Sequence, residues 1–274
     1  MEAELFRAPR SLADPVDSEA MDSRARLLLP LLILCGPGLQ GCRGESEQTA
    51  QRKALQKTVQ RLLETRECAG CELSGAMLEG ADLEGARLAG ATLEGAKLAR
   101  ARLGKADLTG ANLSRADARK ADFRGARLDD VWFSDMQLQE ANLEGLDLRT
   151  VKGLASANFE GANLRGINLE EAGFYGVDGP YRRTERPHPY SVSSGGALLR
   201  RADLTGARLR YAVLARCDLE GAILRDADLR DADLEKANLT GVELQGARLS
   251  GATWEDGSRC AAGSQGGCRS PKPR

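Results

Sequence analysis

Seven cysteines and one histidine carry most of the reactive chemistry open to this 274-residue chain. Cys68 and Cys71 form CAGC, Cys260 and Cys268 bracket CAAGSQGGC, Cys42 closes Leu39-Gln40-Gly41-Cys42, and Cys35 and Cys217 stand apart. A CxxC pair can cycle between dithiol and disulfide, staple a turn, or give half of a tetrahedral metal site. No His follows CAGC, which removes haem attachment. The lone His188 lies in a Pro-rich stretch, and no G-x-S-x-G elbow, phosphate-binding glycine loop or His-rich metal spacing occurs. Carboxylates are plentiful but recur at regular positions beside Arg and Lys, the pattern of a solvated face. An enzyme is not expected, and no metal or other cofactor is assigned.

The segments that must position these groups differ in character. Aromatics are 4% of the chain and glycines number 31, so a core has to be built from Ala and Leu. The net charge of −1 gives no basic footprint for nucleic acid, so no nucleic-acid partner is expected. Residues 45–67, ESEQTAQRKALQKTVQRLLETRE, place Ala54, Leu55, Val59, Leu62 and Leu63 at helical spacing without Gly or Pro. They predict one amphipathic helix, within a linker and cap at 43–70, lying over the first turn of the leucine-rich region C-terminal to it.

From Met21 the chain reads MDSRARLLLPLLILCGPGLQGC: Arg24 and Arg26, an apolar run Leu27 to Leu34, then the small-residue approach to Cys42. The run is too short to span a bilayer and has the shape of an export signal. It resembles a bacterial lipoprotein signal, which implies cleavage before Cys42, lipid on its thiol, and a membrane-anchored product in the cell envelope. Leu34 before Cys35 is not small, so Cys35 is the poorer acceptor. Arg43 after the acceptor implies outer-membrane sorting if the organism has such a membrane. The acidic stretch before Met21 suits no signal, so residues 1–42 are read as a signal region whose translation starts at Met21.

A leucine beat of five dominates the remainder, at 73, 78, 83 and onward to 148, resuming at Leu154 after one extra residue and again at Leu199 to Trp254. Ala usually stands two places before the Leu (position i−2, with Leu as i), a polar residue at i−1, and polar residues or Gly at i+1 and i+2. Residues i−2 and i share one side, as in a strand, and the three polar positions require a bend per pentad. Equal bends close into coils, and stacked coils bury the Ala and Leu columns as in a solenoid. A helix fails on phase, because five steps of 100° send successive leucines around its surface.

These A(D/N)LxG units resemble the pentapeptide-repeat family over most of residues 71–254. The resemblance implies an all-β solenoid, a right-handed quadrilateral β-helix of about eight coils, which the α-helix caps at its N-terminus. Repeats are expected over 71–256, with a C-terminal cap and basic tail at 257–274. The flanks ECAGCELSGA and WEDGSRCAAGSQGGC are similar to the ends of exported members. In an oxidising envelope two local disulfides are expected, Cys68 with Cys71 and Cys260 with Cys268, one at each end. Redox chemistry at CAGC ranks below a staple because no thioredoxin-like βαβ pattern surrounds it. Cys217 takes an Ala slot and reads as a buried small residue.

The span 176–196 breaks the repeat. Its length equals whole pentads, which admits a degenerate coil, but Pro180, Pro187 and Pro189 oppose pairing, so it is read as a projecting loop. Tyr181, Arg182, Arg183, Arg186, His188 and Tyr190 make it the candidate surface for an unknown protein partner, since Arg and Tyr are favoured interface anchors; the alternative is a mobile insertion without a partner, since loops tolerate insertions. A homodimer through an end or face of the β-helix is a further possibility. Some family members imitate DNA, bind type II topoisomerases (DNA gyrase and topoisomerase IV) and protect against their poisons; this is the alternative function, with a cytoplasmic location. Units 71–178 hold 18 acidic and 13 basic residues and units 197–256 hold 11 and 9. That is far below the charge density of a duplex, one per ~1.7 Å. The expected function is therefore a non-enzymatic envelope lipoprotein acting as spacer or interaction scaffold.

Overall fold

A computed structural model describes residues 42–173 and 196–270. Helix α1, Cys42–Thr65, begins and ends earlier than the expected 45–67 span. It stops because Arg66 turns left-handed (φ 59°) while its N–H still reaches the Leu62 carbonyl at 2.7 Å, an αL cap on a non-glycine residue. Leu62 is fully buried, Leu55 and Val59 are half-buried against the core, and residues 47–54 are exposed. Among the described side chains of α1, those of its C-terminal part pack on the repeat. Leu63, expected on the apolar face, is 46% exposed.

The repeat forms coils of four pentads. Residue i−1 of each pentad makes a parallel bridge to the equivalent residue 20 positions on, as in Glu72↔Thr92 and Thr92↔Asn112, and four such columns run through the stack. Two N–H groups per pentad reach forward: Leu73 donates to the Thr92 carbonyl and Gly75 to the Glu94 carbonyl, both at 2.8 Å. Ala76 N–H closes the bend onto the Leu73 carbonyl at 2.9 Å. The corner residue i+2 is left-handed in nearly every pentad, Thr150 being an exception. Gly85 (φ 67°) serves there, but so do Arg100 (φ 60°), Lys120 (φ 60°) and Asp226 (φ 57°), each accepting about 1–2 kcal/mol of backbone strain for its surface charge. The interior is one continuous cluster of Leu at i and Ala at i−2, with Phe123, Phe133 and Phe159 as its largest members. The first bridge lies at Glu67, so the coil begins one pentad before the leucine beat does, with Cys68 in the Leu slot.

Two departures interrupt the register. The bridges change offset from 20 at Trp132↔Lys152 to 21 at Gln137↔Asn158. The extra residue is absorbed by a 3-10 turn, Leu154–Ser156, preceded by Gly153 at φ 76°. Gly153, not Leu154, holds the backbone position of i, and Leu154 swings in to fill the core at 2% exposure. On the neighbouring column no bridge joins Arg127 to Asp147, and the Asp130 N–H is taken by Thr150 Oγ1 at 3.1 Å. Leu146 stands in an Ala slot at this level, and its extra bulk accompanies the parted strands.

The second departure surrounds the insertion. Asn158, Asn163, Asn168 and Gly173 bridge to Leu198, Asp203, Arg208 and Val213, an offset of 40 on every column. The coil before the insertion is thus stacked directly on the coil after it, while residues 174–195 lie outside the described residues. In sequence, Phe174-Tyr175 followed by Gly196-Ala197-Leu198-Leu199 restores an uninterrupted pentad pattern.

Candidate functional surfaces and end caps

At the N-terminal end, Arg66 links helix to coil, its guanidinium reaching Asp82 Oδ2 at 2.9 Å and the Glu84 carbonyl. Cys68 and Cys71 are joined (S–S 2.10 Å) across an ordinary pentad bend, with Arg61 Nη2 3.2 Å from Cys71 Sγ. At the other end the chain reverses. Thr253↔Arg259 and Arg248↔Gln265 are antiparallel bridges, and Leu249 N–H donates to the Ser264 carbonyl at 2.9 Å. Cys260 and Cys268 are joined there (S–S 2.09 Å), Cys260 being 3% exposed. The turn covers two columns of the last coil. On the other two, the N–H groups of Leu239, Gly241, Leu244 and Gly246 find no backbone acceptor among the described residues, above half-buried Leu239, Val242 and Leu244. All coils separate the two cysteine pairs, so a shared zinc site has no geometry. Cys217 is buried, and desolvation pushes its thiol up to about 12, leaving it protonated.

The outward faces carry ordered charge. Residues 67–96 hold six acidic residues against Arg87; residues 97–127 hold nine basic against three acidic; residues 128–148 hold six acidic and no basic. Bands of opposite sign are joined along the stack by Arg102–Glu84 (2.7 Å), Arg115–Glu94 (3.3 Å) and Lys120–Glu140 (3.2 Å). One bridge column alternates in sign, with Arg87 on Glu67 (3.6 Å), Arg127 on Asp107 (3.5 Å) and Arg248 on Asp228 (2.9 Å).

The sequence pattern also conceals a structural role at i−1. Asn and Asp there accept the N–H of i+1, as Asn112 does from Ser114 (3.0 Å) and Asp203 from Thr205 (3.0 Å), and so hold each bend from its outer side. Where i+1 is Arg, its guanidinium returns to the same carboxylate, as Arg119 on Asp117 and Arg124 on Asp122, both at 2.7 Å. An Asp or Asn at i−1 with Ser, Thr or Arg at i+1 is the signal that could have revealed it.

Asp228 combines these contacts, with Arg230 at 2.6 Å and Arg248 at 2.9 Å and its side chain 12% exposed. The Arg230 hydrogen bond holds its carboxyl below the usual 3.8. A depressed carboxyl contributes stability above its unfolded value and loses it as pH falls through the folded one. Asp228→Asn should therefore lower the thermal midpoint at pH 7, and the gap from wild type should close as pH drops below 3.8.

The residues singled out for function divide across the molecule. Cys42 is the first residue of α1. Tyr181, Arg182, Arg183, Arg186, His188 and Tyr190, like the expected signal region before Cys42, lie outside the described residues.

A family model described as pentapeptide repeats matches in eight copies over residues 67–104, 96–135, 154–178, 195–226 and 224–253. Among solved structures, the sequence is 30% identical to HetL of the cyanobacterium Nostoc sp. strain PCC 7120, a pentapeptide repeat protein involved in heterocyst differentiation regulation. That match covers 70% of this chain and 89% of the other, with a TM-score of 0.31. A pentapeptide repeat protein of the Arabidopsis thaliana thylakoid lumen is 33% identical over 43% of this chain and 70% of its own (TM-score 0.29). Full-length QnrB1, a plasmid-mediated fluoroquinolone resistance protein, is 16% identical over 66% of this chain and 83% of its own (TM-score 0.27). No curated protein matches.

Proposed function

This chain belongs to the pentapeptide-repeat family, and from that premise we propose that it is a non-enzymatic interaction scaffold held at the cell envelope by lipid on Cys42. The observation that carries the scaffold reading is the 40-residue offset across the insertion. Coils that bridge directly to one another across it form a continuous platform. The insertion between them is free to vary, and its Arg and Tyr residues are those that anchor interfaces. For the anchor, the support is the ordered signal ending in Leu39-Gln40-Gly41-Cys42. The exposed polar residues 47–54 of α1 suit a spacer between lipid and scaffold. A homodimer would use the uncapped edge at Leu239–Gly246, whose N–H groups await acceptors. Topoisomerase protection is the weaker reading, because the axial bands alternate in sign where a duplex is uniformly negative.

The test compares three chains in the native host: wild type, Cys42→Ala, and an excision of Gly176–Gly195. The wild type is expected to incorporate palmitate and fractionate with membranes, and Cys42→Ala to do neither. The excision removes 20 residues, one coil's worth, and should keep the fold and anchor while losing co-purifying protein. A soluble, unlabelled wild type would refute the anchor; an unchanged co-purification profile would refute the insertion as binding surface.

A further inference from the structure

The geometry points to a second role for the N-terminal cap: Cys68–Cys71 is an exchange-competent disulfide that accepts two electrons from a dithiol reductant, whereas Cys260–Cys268 is a permanent staple. This goes beyond the scaffold and anchor and depends on neither.

Access comes first. Arg61, Thr65, Glu67, Cys68, Ala69 and Cys71 line a shallow surface cavity of roughly 410 Å³. Cys71 is half-exposed in it while Cys68 is 2% exposed, so an incoming thiolate meets Cys71 Sγ.

Charge comes second. Arg61 Nη2 lies 3.2 Å from Cys71 Sγ and 3.9 Å from Cys68 Sγ, and Arg61 makes no carboxylate ion pair among the described residues. Glu67, the acid lining the same cavity, is paired with Arg87 at 3.6 Å. An unneutralised guanidinium between the sulfurs attracts an attacking thiolate and stabilises a departing one, both of which speed exchange. The C-terminal pair has no such partner: among the described residues no guanidinium is hydrogen-bonded to either sulfur, and neighbouring Arg259 is turned to Asp231 at 3.4 Å.

Backbone support comes third. Cys68 N–H donates to the Arg87 carbonyl at 2.9 Å, Gly70 N–H to that of Ala89 at 2.8 Å, and Cys71 N–H to that of Cys68 at 3.3 Å. These are the bonds that hold the other bends, where Leu and Ala stand in the two cysteine slots without any crosslink. The bend therefore survives opening of the S–S bond. Around Cys260 the chain follows a one-off reversal, and the crosslink closes a turn that no repeat template provides.

The step balances. One thiolate of the reductant attacks Cys71 Sγ, forming a mixed disulfide and expelling Cys68 as a thiolate beside Arg61. The reductant's second thiolate then attacks its own sulfur in that mixed disulfide and releases Cys71. The reductant leaves as a disulfide, and the two protons its thiols lost end on Cys68 and Cys71.

The experiment exposes the full-length oxidised chain in detergent to a dithiothreitol series. Free thiols are trapped by alkylation and assigned by peptide mass spectrometry. Cys71 should become labelled at least about tenfold faster than Cys268, the more exposed member of the other pair. Buried Cys217 should stay unlabelled, showing that exchange takes place in the folded protein. Arg61→Gln should slow opening about threefold or more, and Arg61→Lys should largely restore it. Equal rates for Cys71 and Cys268, labelling of Cys71 only together with Cys217, or an unchanged rate in folded Arg61→Gln would each overturn the proposal.

Discussion

Leu113→Ala should lower the unfolding free energy by about 3 kcal/mol and break the transition into two. The side chain is fully enclosed in mid-stack, and removing a buried Leu costs about 2–5 kcal/mol when the surroundings cannot collapse into the void. Collapse is prevented here because the backbone on both sides is tied at a fixed spacing: Leu113 N–H donates to the Trp132 carbonyl at 3.0 Å, and Asn112 N–H to the Ala91 carbonyl at 3.0 Å. In a solenoid each coil contacts only its neighbours, so a weak interface in the middle uncouples the halves. Leu239→Ala, at the half-buried edge of the last coil, should cost about 1 kcal/mol and leave one transition. Denaturant-dependent hydrogen exchange, read by mass spectrometry on peptides N-terminal and C-terminal to Leu113, would follow the two sides separately, since Trp132 and Trp254 both lie C-terminal to it. A single coincident transition for Leu113→Ala would contradict nearest-neighbour coupling.

Gly153→Ala should rival that effect with one added methyl group. A Cβ at this position would stand 2.3 Å from Ser134 Oγ, 2.7 Å from Ser134 N and 2.9 Å from Ser134 Cα, at a φ of +76°. The side-chain oxygen could rotate away, but the backbone could move only by parting the Trp132↔Lys152 bridge. Gly166→Ala is the control: it is also left-handed (φ +62°), yet a Cβ would meet nothing within 4 Å. The control should lose about 1 kcal/mol from backbone strain alone, and Gly153→Ala about 3 kcal/mol or more. Equal thermal midpoints for the two variants would show that the 3-10 turn relaxes freely.

What the residue pattern disclosed and what it hid have one physical cause. Inward positions are legible because burial admits few residue types, and a five-residue beat of Leu and Ala admits few geometries. Hence the coil, the cap helix and the slot of Cys217 could be read directly. Position i−1 was legible only as polar; that its Asp and Asn residues bond the bend depends on side-chain direction, which periodicity does not encode. The resumption of the beat at Leu154 misleads for a similar reason: Leu154 keeps the hydrophobic spacing, while the backbone position of i belongs to Gly153. Arg61 was invisible as a partner of CAGC because it sits on another element, brought there by the helix end at Arg66. The insertion's length is countable in the sequence, but that the coils flanking it stack on each other is visible only in the bridges across it.

The alternating column Glu67, Arg87, Asp107, Arg127 bears on how the chain finds its order. Coils with interchangeable interiors can stack out of turn: omitting one still sets Leu on Leu and Ala on Ala, at little cost to the core. On the outside the same error sets Glu67 against Asp107 and Arg87 against Arg127, like on like at one strand's spacing. The surface charges thus act as a proofreading code, penalising a skip of one coil while tolerating a skip of two.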